Sequence, residues 1–171
     1  NAAKLVCNEL GVTDTDFFLQ IANFKGASMR LELVKKTDSC AIYKDFAHSP
    51  SKLKATSSAM KKQFSNRKLV ACMELHTFSS LNEEFLKEYK GSMDDADTAI
   101  VYFSPNAIAH KKLEPITPEQ VLNAFDCKDL IVFTDPEKLE KYLNNLNWEN
   151  TNLLMMSSGT FDGMNLEKLI D

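Results

Sequence analysis

No apolar stretch in these 171 residues runs beyond about six positions, with 69–73 and 152–156 typical, against the roughly 20 that a membrane-spanning helix requires. Positive charge is not in excess either. Twenty Lys and Arg stand against 24 Asp and Glu, a formal net charge of −4, so the basic footprint that phosphate-backbone binding needs is missing and nucleic acid is a poor candidate partner. The four cysteines, Cys7, Cys40, Cys72 and Cys127, form no C-x-x-C pair. Three of them sit among apolar neighbours, as reduced structural cysteines do, which implies a reducing cytoplasm. The first residues, Asn1-Ala2-Ala3-Lys4, carry no initiator Met, charged n-region or apolar h-region, and the expectation is a cut through a longer protein. Also absent are a G-x-x-x-x-G-K-[ST] phosphate loop, an H-x-x-x-H pair, an acidic cluster at ligand spacing and a G-x-S-x-G serine. No metal site and no activated nucleophile is therefore expected, and a triphosphate would have to be held mostly by something else.

What is present describes an ordinary globular domain. Hydrophobic residues make up 44% and charged residues 26%, which excludes disordered, collagen-like and repeat-tract proteins. A mass of 19.3 kDa suits one main domain with room for a short attached piece. Residues 3–10 carry apolar positions at helical spacing up to Gly11. Thr13 or Asp14 can cap a second helix bearing Phe17, Phe18, Ile21 and Ala22. This pair predicts a helical hairpin over 1–28 that ends a preceding domain, with 23–28 as connector and the main domain at 29–171.

Beyond it, residues 30–34 and 40–43 around the charged turn 35–38 predict a β-hairpin. The chain then alternates: helix 50–64, strand 68–73, helix 81–89, strand 98–103, helix 118–125, strand 130–133, helix 136–146, strand 152–156 and a last helix 164–170. Residues 105–118 remain without an assignment. Strands that are nearly continuously apolar, alternating with helices, predict an α/β fold: a mostly parallel, Rossmann-like sheet covered on both faces, with the hairpin adding an antiparallel edge.

Ligands of such sheets bind beyond the carboxyl ends of the strands, and polar residues cluster there. Asp45 and His48 follow the first parallel strand, where a carboxylate can accept ribose hydroxyls and an imidazole can meet a phosphate; Ser49-Pro50 opens a helix whose free N–H groups attract anions. Asp45 and Ser49 could equally shape a turn and cap a helix. Glu74-Leu75-His76-Thr77-Phe78-Ser79-Ser80 follows the next strand, and its serines could be a plain N-cap. Ser157-Ser158-Gly159-Thr160-Phe161-Asp162-Gly163 follows the last; its glycines permit close backbone approach to a ligand or simply make a tight turn. Arg30 could pair with phosphate or with a surface carboxylate such as Glu32. His110, beside Lys111 and Lys112, reads as a solvated face.

Phe24-Lys25-Gly26-Ala27-Ser28-Met29-Arg30-Leu31-Glu32 resembles the Phe-x-Gly-x-x-(Arg/His)-Arg-x-Glu domain junction of the Mur ligases. Asp45-Phe46-Ala47-His48-Ser49-Pro50 resembles the Asp-Tyr-(Ala/Gly)-His-x-Pro signature that opens their C-terminal domain. The resemblance spans essentially the whole chain and takes in the last helices of the central domain. Leu153-Leu154-Met155-Met156-Ser157-Ser158-Gly159-Thr160-Phe161-Asp162-Gly163 is similar to the Met-Ser-Asn-Gly-Gly-Phe-Gly-Gly stretch of the branch that attaches the tripeptide L-Ala-γ-D-Glu-meso-diaminopimelate to UDP-N-acetylmuramate. The segment from Glu74 sits where the alanine-adding branch has Gln-Pro-His-Arg-(Phe/Tyr)-(Thr/Ser)-Arg; His76 is kept, but Thr77 and Ser80 replace both arginines.

The resemblance implies ATP-dependent, ADP-forming amide synthesis in bacterial peptidoglycan synthesis or recycling, with Mg²⁺, most of the ATP site and the UDP-sugar site on missing N-terminal and central domains of the same chain. It implies that Arg30 touches ATP phosphate, that Asp45 holds the ribose with His48 beside it, and that His76, Thr77, Ser80, Ser157, Ser158, Gly159 and Phe161 line the pocket of the incoming amine. The fragment alone is then inactive. Alanine addition, a non-catalytic α/β module binding a nucleotide or partner by the same rim, and a purely structural interaction domain stay open alongside it.

Overall fold

The computed structural model describes residues 2–24 and 30–169. Two short helices come first, α1 (Ala2–Glu9) and α2 (Asp14–Ile21). Gly11, at φ +85°, allows the chain to turn between them. The Thr13 hydroxyl caps α2 by accepting the Asp16 N–H. Lys4 pairs with Asp14 at 2.8 Å across the hairpin. Leu5, Leu10, Phe18, Leu19 and Phe24 are all exposed on this piece. The connector residues 25–29, including Gly26 of the junction motif, lie outside the described residues.

The main body is a six-stranded sheet in the order β1-β2-β6-β3-β4-β5, built from β1 (Glu32–Lys36), β2 (Cys40–Asp45), β3 (Lys68–Leu75), β4 (Thr98–Phe103), β5 (Ile131–Phe133) and β6 (Thr151–Met156). β1 runs antiparallel to β2 and every other pairing is parallel, as the sequence predicts. Alternation along the strands makes two cores. Ala71, Met73, Val101, Phe103, Leu154 and Met156 pack under α3 (Pro50–Gln63) and α6 (Pro118–Phe125) through Leu53, Met60, Val121 and Phe125. On the opposite face Cys72, Ile100, Tyr102, Leu153 and Met155 pack under α7 (Pro136–Asn144) through Leu139 and Leu143. This face also takes Trp148, Phe161 and Leu169.

Several expected elements differ in extent. The helix expected over 81–89 is one α-turn, α4 (Glu83–Leu86), continued by a 3₁₀ turn at Lys87–Tyr89. Its cap is the Asn82 side chain, which accepts the Glu84 and Phe85 N–H groups, and not the serine pair before it. Residues 105–118 contain a helix the sequence reading left open, α5 (Pro105–His110), capped by Ser104. No regular helix forms over 164–169; the segment makes one 3₁₀ turn at Leu166–Lys168, preceded by another at Phe161–Gly163, because Phe161 and Leu169 are drawn into the sheet face. Residue 170 lies outside the described residues. Ser49 sits at the N-cap of α3 without making a side-chain cap bond.

Asp97 ties the foot of β4 to its surroundings: its carboxylate accepts the Leu69 N–H at 2.7 Å and pairs with Lys61 of α3. Burial works to raise this carboxyl, but the bond to Lys61, the Leu69 amide and the charges of Lys61 and Lys68 outweigh it, and the group titrates below the ordinary aspartate value. A lowered folded-state pKa adds stability that is present above the unfolded carboxyl's pKa and is lost as pH falls through the folded one. Asp97→Asn is therefore expected to lower stability by about 1 kcal/mol near neutral pH, a small value because the pair is solvent-screened. Urea denaturation should show that difference shrinking as the solution is acidified below the usual carboxylate range.

Candidate functional site

Topology assembles the rim. β6, last in sequence, inserts between β2 and β3, so the carboxyl ends of three strands distant in sequence become neighbours. Met73 pairs with Met156, which sets the next residues, Glu74 and Ser157, side by side. The Ser157 N–H continues the ladder by donating to the Asp45 carbonyl at 3.0 Å.

Glu74 organises one half of this rim. It is 1% exposed, and a carboxylate so deeply buried must be hydrogen-bonded to be tolerated. Its Oε2 accepts the Ser157 hydroxyl and, at 2.9 Å, the Phe161 N–H. Its Oε1 lies 3.4 Å from Nδ1 of His76, whose ring is about one-third exposed. Gly159 closes over both: its N–H donates to Ser157 Oγ at 2.6 Å, and a Cβ there would stand 2.8 Å from His76 Cγ and 2.9 Å from Glu74 Oε2. Phe161 and Asp162 both hold left-handed backbone, at φ 52°, a costly conformation for non-glycine residues that persists where surrounding contacts over-determine it. Here the Phe161 ring is buried in the sheet face and the Asp162 carboxylate accepts the Tyr102 hydroxyl at 2.8 Å. Burial and then that bond push the Tyr102 phenol well above its ordinary pKa, keeping it a donor.

The Ser158 hydroxyl is buried with no hydrogen-bond partner among the described residues. A buried orphan of this kind marks a place where a bond is completed by something else. Beside this turn lies a cavity of about 470 Å³, lined among others by Asp45, Met155, Ser157, Gly159, Phe161 and Met164, within the size range of small-molecule sites.

Asp45 organises the other half. Its Oδ2 accepts the Leu31 N–H at 2.6 Å and its Oδ1 the Ala47 N–H at 2.7 Å, so it fastens the end of the junction to the loop after β2. Each oxygen retains a lone pair for a further donor, and a ribose hydroxyl fits that capacity. His48 Nδ1 meets the Phe46 carbonyl at 2.8 Å, which makes Nδ1 the donor and leaves Nε2 the acceptor. Arg30, exposed, stacks over the Phe46 ring at 5.6 Å, and the Phe46 and His48 rings meet edge to face. The Tyr89 hydroxyl fixes the same loop by donating to the His48 carbonyl at 2.6 Å.

Of the residues singled out from sequence, Arg30, Asp45 and His48 thus come together, as do His76, Ser157, Gly159 and Phe161. Thr77 and Ser80 bond to each other: Thr77 Oγ1 accepts the Ser80 N–H at 3.1 Å, and the Ser80 hydroxyl, fully buried, donates to the Thr77 carbonyl at 3.0 Å. The role of Glu74 went unread, although a signal exists: it is the one charged residue in the otherwise apolar run 69–75, and burial of that strand on both faces obliges the charge to find partners. Among the described residues no group of three or more His, Cys, Asp or Glu could hold a metal ion, and no helix is long and apolar enough to cross a membrane.

The family model for the Mur ligase, glutamate ligase domain, matches residues 29–159. The chain belongs to the Mur ligase family. It is 34% identical over 139 residues to the UDP-N-acetylmuramate–L-alanine ligase of Caldicellulosiruptor bescii, a match covering 78% of this chain and 30% of that protein. The chain thus spans about a quarter of the length of the curated relatives it matches. In fold, it resembles the murein peptide ligase of Psychrobacter arcticus (TM-score 0.66, 20% identity, 90% of this chain and 33% of that one). It also resembles the MurF ligase of Thermotoga maritima in complex with ADP (TM-score 0.60, 21% identity, 92% of this chain and 33% of that one). Within this Mur ligase fold the two half-rims above occupy the carboxyl edge of the sheet.

Proposed function

We propose that this Mur ligase chain is the C-terminal, nucleotide- and acceptor-contacting domain of an ATP-dependent, ADP-forming cytoplasmic ligase that joins a murein tripeptide to UDP-N-acetylmuramate. The observation that carries the reading is the rim itself: the motif residues from three separate strand ends meet at one edge, with the orphaned Ser158 hydroxyl and the cavity beside it. ATP supplies the phosphoryl group that activates the lactyl carboxylate as an acyl phosphate. Arg30 would touch its phosphate in the catalytic complex, Asp45 would hold the ribose through its spare lone pairs, and His48 would lie alongside. His76, Thr77, Ser80, Ser157, Ser158, Gly159 and Phe161 form the acceptor side. Mg²⁺ and most of the ATP belong to a central domain whose last helices are α1 and α2; docking on that domain would cover Leu5, Leu10, Phe18 and Phe24, which are exposed here. Positioning of the reacting groups and neutralisation of the transferring phosphoryl group are what such a reaction needs from the protein.

A peptide acceptor is favoured by Thr77 and Ser80 standing where the alanine-adding pattern has arginines. The 34% identity to an alanine ligase supports the second reading, addition of L-alanine. ADP release by the full-length parent with ATP, Mg²⁺ and UDP-N-acetylmuramate decides between them. Tripeptide-dependent turnover is expected to exceed alanine-dependent turnover by at least about tenfold, a 1.4 kcal/mol preference. The reverse ratio would establish the alanine reading, and no release with either acceptor would leave a non-catalytic binding module.

A further inference from the structure

We propose that Glu74 is a positioning residue that fixes the tautomer of His76, making the His76 Nε2 the proton acceptor for the ammonium of the incoming substrate. This inference rests on the ligase reading above and adds the proton transfer that the amine's attack requires. Glu74 Oε2 is already taken by the Ser157 hydroxyl and the Phe161 N–H. Its Oε1 faces His76 Nδ1 at 3.4 Å, an ion-pair contact whose negative charge favours the ring proton on the near nitrogen. A carboxylate behind an imidazole sets the tautomer and stabilises the imidazolium that forms when the far nitrogen takes a proton.

Nε2 has no hydrogen-bond partner among the described residues, and the ring is partly open to the rim. Gly159 lies against the ring and the carboxylate, so close that a Cβ there would collide with both. Of the other titratable groups on the surrounding elements, Asp162 is tied to Tyr102 and Asp45 to the Leu31 and Ala47 amides, which leaves Glu74 as the charge within ion-pair reach of the ring.

An amine enters as R–NH₃⁺ at neutral pH and cannot attack until a lone pair is freed. His76 Nε2 takes one proton. The lone pair forms the C–N bond to the acyl-phosphate carbon, and the C–O bond to the phosphoryl group breaks with its electron pair. The departing phosphate carries off the second nitrogen proton as HPO₄²⁻, and His76 returns its proton to solvent. Base catalysis of this kind contributes on the order of a hundredfold or more.

Glu74→Gln in the full-length parent tests the assignment, because the substitution is isosteric and its outcome is dictated by the donors already present. The Ser157 hydroxyl and the Phe161 N–H require an oxygen, so the amide nitrogen must take the place that faces His76 Nδ1. That nitrogen donates, Nδ1 becomes an acceptor, and the proton moves to Nε2. Nitrogen-15 NMR of histidine-labelled protein, with His76 assigned by its loss in His76→Gln, should show Nδ1–H in the wild type and Nε2–H in the variant.

Turnover with the peptide acceptor should fall about a hundredfold, as for loss of a general base. With hydroxylamine as acceptor, which is mostly uncharged at neutral pH and needs no base, it should stay within about threefold, on the same reasoning. An unchanged tautomer, or an equal loss with both acceptors, overturns the inference and leaves the ligase reading intact. A wild-type parent that releases no ADP with any acceptor overturns the ligase reading, and the inference with it.

Discussion

Gly159→Ala in the full-length parent is expected to lower turnover about a hundredfold, since misplacing a reacting group by about 1 Å can cost that much and the new Cβ displaces the His76 ring. The new Cβ would stand 2.8 Å from Cγ and Nδ1 of His76 and 2.9 Å from Glu74 Oε2, closer than side-chain packing allows. Neither neighbour can yield cheaply. Glu74 is buried and bonded to Ser157 and Phe161, and the His76 ring is held between that carboxylate and the turn. Relief comes only by swinging the imidazole off Glu74 or by lifting the turn, which breaks the 2.6 Å bond from the Gly159 N–H to Ser157. Overpacking of this size costs about 1–3 kcal/mol, so the domain should still fold, with a lowered melting temperature. Steady-state kinetics with acceptor varied at saturating ATP is the check; turnover within about fivefold of wild type would mean that the turn can shift without consequence and lies outside the acceptor site.

Asp45→Ala is expected to join a loss of stability to a loss of nucleotide use. The carboxylate receives the Leu31 and Ala47 amides at 2.6 and 2.7 Å. Leu31 holds left-handed backbone at φ 46°, a conformation that a leucine does not keep without such an anchor. Truncation strands two part-buried N–H groups, at a cost of about 2–3 kcal/mol. It also unlatches the junction from the loop that carries Phe46 and His48. The KM for ATP should rise by about tenfold or more, equivalent to losing one hydrogen bond to a charged group, while the urea midpoint falls. An unmoved midpoint would contradict the latch; a moved midpoint with unchanged ATP dependence would confine Asp45 to a structural role.

Much of this was legible in the residues. Continuous apolar runs at 69–73, 98–103 and 152–156 demand burial on both faces, and Pro50, Pro118 and Pro136 start helices because proline fits the first helical turn. All three prolines do open helices. Failures fell where local signals are weak or tertiary contacts override them. Residues 164–169 have helical spacing, yet the pull of Phe161 and Leu169 onto the sheet leaves only 3₁₀ turns. The cap before α4 reads as the serine pair at 79–80 but is the Asn82 side chain.

Sequence alone determined the layered α/β class, the antiparallel edge hairpin, the placement of candidate residues at strand ends and the resemblance to the Mur ligases, because these depend on local periodicity, turn chemistry and short motifs. Tertiary structure decided which strand ends are neighbours. Nothing in the chain order announces that β6 enters between β2 and β3; that follows from how the strands pack together. Only this insertion brings Glu74 to Ser157, 83 positions apart, and turns a charge buried in an apolar strand into the anchor of the rim.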